Sequence, residues 1–333
     1  MEEKHKRVRK RGEEIRHFIL RQVEQHPFDL TKLTSETFQI SRQTAHGHLQ
    51  RLIAEKILTA AGNTNGRKYE LGVIEWTKSY PIAEGLTEDF AWNDAAPIVG
   101  ELPENVLSIW NTGFTEMFNN AIDHSAGTEI TVEMRKTAIH TELVIRDNGI
   151  GIFKKIQAAA NLLDERHAIL ELSKGKFTTD STKHSGEGIF FTSKMFDAFD
   201  ILSGDLSFTE TRPPAGVRGT SVWMKIDNES IRMPADVYSE YSVEDFGFDK
   251  TRVPVKMAQF AGQRLVSRSQ AKRVLARMGE FKTATFDFAG VEMIGRAFAD
   301  EIFRVFHNAH PEIRLEVVNA GPDVSQLIRR ATK

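Results

Sequence analysis

The 333-residue chain contains no cysteine. Disulfides, thiolate zinc sites and thiol nucleophiles are therefore excluded. Long apolar runs are missing as well, since no stretch approaches the ~20 residues of a membrane span. The N-terminus, Met-Glu-Glu-Lys-His-Lys-Arg, lacks the apolar core of a secretion signal. No internal repeat or low-complexity tract stands out. These absences predict a cytoplasmic protein with no membrane partner. Net charge is also small, at −2, but it is unevenly distributed. Residues 1–80 carry 15 Lys and Arg against 10 Asp and Glu, whereas the remainder carries 29 against 36. A basic first module on an acidic body suggests that only the first part meets nucleic acid. The length allows two or three domains with real cores.

Residues 1–80 read as three helices and a hairpin. Ile15, Phe18, Ile19 and Val23 follow a helical period, Leu33 opens a short helix, and Ser41 is a good N-cap for a helix over 42–56. The turn at 62–66 (Gly-Asn-Thr-Asn-Gly) between two short β-prone runs is a hairpin signal. This pattern resembles a winged helix-turn-helix domain. The resemblance implies that Arg42, Gln43, Thr44, His46 and His48 line the outer face of a recognition helix. It also sets Arg67 and Lys68 on the wing, placed for phosphate contact with duplex DNA. Docking or dimerisation is the alternative use of such a module. Residues 81–104, with Pro81, Pro97 and Pro103, read as a linker.

A helix near residue 114 opens the next block, 105–230. At about 100° per residue, Trp110, Phe114, Met117 and Ala121 form a core-facing stripe. Glu116, Asn120 and Asp123 fall within roughly 60° of one another, about 130° away, while Asn119 points elsewhere. Short and medium oxygen-bearing side chains suit a hard cation and a carboxylate base. Strands are predicted at 129–136 (Ile130, Val132 and Met134 inward), at 141–147, and at 220–226. The expected architecture is helices on one face of a mixed sheet.

Two glycine boxes follow the helix: residues 147–152 (Asp-Asn-Gly-Ile-Gly-Ile) and 185–190 (Ser-Gly-Glu-Gly-Ile-Phe). In this order, residues 105–228 resemble the GHKL (Bergerat-fold) ATPase family, which includes histidine kinases, gyrase-type topoisomerases, mismatch-repair ATPases and anti-sigma-factor kinases. The resemblance implies ATP and Mg2+ as cofactors. It makes Glu116 the base, Asn120 the magnesium ligand and Asp147 the acceptor of the adenine amino group. Asp123 lies on the same functional stripe. Gly149 and Gly151 give tight backbone turns beside the nucleotide. Gly186 and Gly188 open a helix whose amides receive phosphate. Thr220 helps bind adenine. Residues 174–183 would form a lid in which Lys174, Lys176 or Lys183 meets phosphate.

Sensor histidine kinases carry a phosphoacceptor histidine on a separate helix pair. Here the upstream candidate, His17, is followed by Phe18 and Ile19 rather than an acidic residue. Glu116, four residues before Asn120, instead matches the hydrolytic members and the anti-sigma serine kinases. In the third unit, 250–333, strands at 285–288 and 314–318 alternate with helices at 295–307 and 324–330. Residues 286–299 resemble an uncharacterised STAS-like domain. Where a STAS phosphoacceptor serine would stand, this chain has Gly295, Arg296 and Ala297. The unit is expected to serve a protein partner or self-association without phosphotransfer.

Overall, the sequence predicts an α+β multidomain chain: winged helix, α/β sandwich of the histidine-kinase-like ATPase type, and STAS-like α/β domain. The expected function is a slow Mg-dependent ATPase that regulates DNA binding. A protein serine/threonine kinase acting on a separate partner is the alternative.

Overall fold

The structure is a computed structural model that describes residues 2–63, 66–177, 186–209, 216–242, 247–259 and 264–332, with side chains from residue 10 onward. The N-terminal unit comprises α1 (Glu2–Gln22), α2 (Leu30–Phe38), α3 (Arg42–Ala54) and an antiparallel hairpin of β1 (Leu58–Ala61) and β2 (Lys68–Leu71). Ile15, Ile19, Val23, Leu30, Leu49, Leu52 and Tyr69 share its core. Ser41 caps α3, its Oγ accepting from the Thr44 amide at 3.0 Å. The chain leaves the hairpin through Gly72, where a β-carbon would stand 2.0 Å from the Lys56 carbonyl oxygen. Only glycine fits so close a crossing.

The boundary expected at residue 80 moves back to this crossing. Strand β3 (Ile74–Pro81) pairs along its whole length with β4 (Glu129–Lys136), so it belongs to the central sheet. The expected linker is largely helix: α4 (Glu88–Val99) starts from a Thr87 cap and buries Ala91, Ala95 and Val99. It packs against α5 (Glu104–His124), with Trp92 and Phe114 rings 5.3 Å apart.

The central block continues through β5 (His140–Asp147), α6 (Ile152–Ala159), α7 (Glu165–Lys174), α8 (Gly188–Met195), β6 (Ala198–Gly204), β7 (Leu206–Ser207), β8 (Val217–Asp227) and α9 (Pro234–Glu240). Sheet order is β3-β4-β5-β8-β6-β7. Every pair in it is antiparallel, which corrects the expected mixed sheet. Alternation at period 2 sends Ile130, Val132, Met134, Leu143, Ile145, Val222, Met224 and Ile226 into one core with the α5 stripe of Trp110, Phe114, Met117 and Ala121.

The C-terminal unit contains β9 (Lys250–Pro254), α10 (Arg268–Leu275), β10 (Thr283–Asp287) and α11 (Arg296–Asp300). The last helix runs on through a π-helical stretch, Glu301–Phe306, to α12 (His307–Ala309), before β11 (Arg314–Val318) and α13 (Pro322–Ala331). Its sheet is parallel, ordered β11-β10-β9. The central and C-terminal units share packing. Leu170 of α7 lies in the C-terminal core, while Phe248 and Phe281 lie in the central one. The N-terminal unit docks through Arg21, which donates to Asp227 at 3.0 Å and Glu229 at 2.9 Å, and through Ile139 packed against its core. Among the described residues, no helix is long and apolar enough to cross a membrane.

Candidate functional site

A cavity of about 240 Å³ opens where α5, α6 and α8 meet the ends of β5 and β8. Helix α5 contributes Glu116, Asn120 and His124, one per turn, with Met117 and Ala121 beside them. Asn119 and Asp123 are not on this wall. The reason is angular: the cavity faces the sector that runs from Glu116 through Asn120 and His124 to the apolar stripe, and Asp123 lies about 20° outside it, on the far side of Glu116. Asp123 instead acts electrostatically on Lys155.

Glu116 is exposed. Its carboxylate is seated against the start of α8. A β-carbon built on Gly188 would lie 2.0 Å from Glu116 Oε2, so a glycine here makes room for the carboxylate itself. Gly186 has a φ of +74° and abuts the carbonyl of Phe177, which also lines the cavity. Glu187 stands between these glycines, and burial pushes its carboxyl up against the opposing effect of Lys176.

At the other end, Asp147 is buried. Its Oδ1 accepts from the amides of Gly149 at 2.9 Å and Thr220 at 3.2 Å. Burial raises its pKa, and these hydrogen bonds only partly offset the rise. Thr220 Oγ1 accepts from the Ile152 amide at 3.0 Å, tying β8 to the start of α6. A β-carbon on Gly149 would meet the Ser125 carbonyl oxygen at 2.0 Å, so this turn lies directly on the end of α5. Gly151 has a φ of +90° and is the N-cap of α6. Ile145, Ile152, Ile156 and Val222 make the neighbouring wall apolar. The cavity thus has one apolar flank with a fixed acceptor and one flank carrying a carboxylate at a helix N-terminus.

The lysines depart from expectation. Lys174 is fully buried and bound to Glu171 at 2.7 Å and to the carbonyls of Arg273 and Ala276 at 3.0 and 2.9 Å, so it is no phosphate contact. Lys176 does not line the cavity. Its ammonium donates to the Glu280 carbonyl at 2.8 Å and sits over the rings of Phe248 and Phe281, partners that satisfy it away from the cavity. Lys183 and most of the expected lid lie outside the described residues. Among the described residues, the lysine that lines the cavity is Lys155 of α6, which donates to the His124 carbonyl at 2.7 Å. Burial lowers its pKa, with Asp123 opposing. Sequence reasoning missed it because a lysine on the polar side of a short helix carries no signal of its own.

Among the described residues, no group of three or more His, Asp or Glu side chains could hold a metal. Asn120, with Glu116 one turn before it, fits the sparse oxygen set of a magnesium ion that takes its other ligands from phosphate and water.

In the N-terminal unit, Arg42, Gln43 and Thr44 are exposed at the start of α3, and His46 and His48 are half-buried. His46 shares a hydrogen bond with Gln50 at 3.2 Å. On the hairpin, Arg67 lies over the Tyr69 ring and Lys68 pairs with Glu70 at 2.5 Å.

Residues 111–230 match the family of histidine kinase-, DNA gyrase B-, and HSP90-like ATPases, and residues 270–325 match a STAS-like domain of unknown function. No curated protein matches the chain. The protein therefore carries a GHKL-type ATPase domain, of the kind that binds ATP with Mg2+, followed by a STAS-like domain.

Proposed function

We propose that the protein is an ATP-hydrolysing, DNA-binding regulator of the cytoplasm, in which the nucleotide state of the central domain sets how the N-terminal module meets duplex DNA. The observation that carries the ATP half is the Glu116 carboxylate seated against the first residue of α8, on a wall shared with Asn120. Asp147 accepts the adenine amino group, with Thr220 beside it. Asn120 would hold a magnesium ion, which when bound would neutralise charge on the phosphate oxygens. Amides at the start of α8 receive phosphate. Glu116 takes the proton of the attacking water.

The DNA half is supported by charge and by the resemblance of the N-terminal unit to a winged helix. Arg42, Gln43, Thr44 and His46 offer a helix start to a groove, and Arg67 and Lys68 offer the hairpin to phosphate. Lys68 gives part of its charge to Glu70, so Arg42 and Arg67 carry the larger electrostatic share.

The test is incubation of the full chain with γ-labelled ATP and magnesium. Free labelled phosphate is expected, and Glu116→Ala should lower its release by about 10²- to 10⁴-fold while leaving nucleotide binding in place. Label transferred to a partner protein would replace hydrolysis with the serine/threonine kinase reading. Unchanged release in the variant would remove Glu116 as the base.

A further inference from the structure

Phe177 lines the cavity and packs against the central core, and it is held from the C-terminal unit as well. Arg277, two residues beyond α10, sets its guanidinium 5.2 Å from the centre of the Phe177 ring. The same guanidinium donates to the carbonyls of Gly175 at 3.1 Å and Lys176 at 2.6 Å. It is braced by Glu280 at 2.8 Å and by Glu171 of α7 at 3.3 Å. Lys176, next to Phe177, is bound to the same loop through the Glu280 carbonyl. From the other side, a β-carbon on Gly186 would lie 2.6 Å from the Phe177 carbonyl, so the two backbones touch. Phe177 therefore stands between a glycine at the head of α8 and an arginine of the STAS-like unit, with its ring on the cavity wall.

Arg277 itself has a φ of +62°, a left-handed conformation that a β-carbon disfavours. Its bonds hold it there, and Lys174 pins the preceding turn through the Arg273 and Ala276 carbonyls. A ligand whose contact with Phe177 depends on this arrangement binds less well where it is broken, and linkage makes the effect reciprocal.

We infer that Arg277 is a positioning residue for the nucleotide site, the contact through which the STAS-like unit and the cavity respond to one another. The inference rests on the reading that the cavity takes ATP. It is tested on the full chain by titration with fluorescent ATP and magnesium, together with hydrogen exchange with and without nucleotide. The wild type should bind, and exchange across residues 271–280 should change on binding. Arg277→Gln should bind at least about fivefold more weakly and lose that nucleotide-dependent change. Exchange in the core of the N-terminal unit should stay the same, which separates lost coupling from misfolding. Should Arg277→Gln fail to fold, Arg277→Lys carries the same prediction. It keeps a charge for Glu171 and Glu280, but an ammonium lacks the planar fork that spans both carbonyls. Equal affinity and an equal exchange response in wild type and variant would overturn the inference alone. Failure of the wild type to bind nucleotide would overturn the ATP reading and this inference with it.

Discussion

Asp147 and Glu116 are both carboxylates on one cavity, and the proposed function gives them different tasks. Asp147 is buried, and the desolvation that raises its pKa makes its charge costly. Protonation converts it from an acceptor of an amino group to a donor. Affinity for ATP should therefore fall as pH drops, beginning above the ordinary aspartate range because the pKa is raised. Titrations across pH should show this loss, and Asp147→Asn should bind about 10-fold or more weakly at neutral pH with the acidic limb gone. A variant that keeps wild-type affinity would place the adenine elsewhere. At this scale the helix period separated Asn120, which lines the cavity, from Asn119, which does not, but it also grouped Asp123 with Asn120, and Asp123 stays off the wall. Sequence reasoning failed for Lys174 and Lys176. Beside the local Glu171–Lys174 pair, their partners Arg273, Ala276 and Glu280 lie about a hundred residues away, and no local pattern encodes such a pairing.

Elements whose two faces differ were readable, and elements with no contrast were not. Strand β4 alternates Ile130, Val132 and Met134 with exposed or half-buried positions, and its bounds matched the expectation. Strand β3 buries only Tyr80 along eight residues, so an edge strand passed for the tail of a hairpin. Helix α4 was hidden by Pro97. Helix α7 serves two cores at once, so a single-face pattern is absent from it. Its last residue, Lys174, forms a buried ion pair with Glu171 while joining two units. Lys174→Met would leave Glu171 buried with the longer Arg277 contact, and would take the ammonium donor from the Ala276 carbonyl and from the Arg273 carbonyl, which keeps the Ala276 amide. The expected loss is about 3–5 kcal/mol, read as a lower urea midpoint. A change below about 1 kcal/mol would mean that the pair is dispensable to the joint between the units.

Across the whole molecule, three units share contacts rather than hang on linkers. Arg21 links the N-terminal unit to the end of β8, and its pairing with Asp227 and Glu229 raises the guanidinium pKa further. The order of the units was legible from charge and motifs, whereas their joints were not, because they rest on Arg21, Lys174 and Arg277 meeting residues distant in sequence. If the N-terminal unit binds DNA through phosphate contacts, affinity should fall linearly on a log–log plot against salt. Arg42→Ala and Arg67→Ala should each reduce the slope by about 1. A salt-independent interaction would turn the unit into a protein-docking module. The claim that joins all three units is nucleotide control of DNA binding. It is tested most directly by recovering duplex fragments from a random pool on the full chain with ATP and magnesium, with ADP, and with neither. Recovery should change with the nucleotide, and Glu116→Ala should stay in the ATP-bound pattern. The same fragments in the same yield under all three conditions would contradict it.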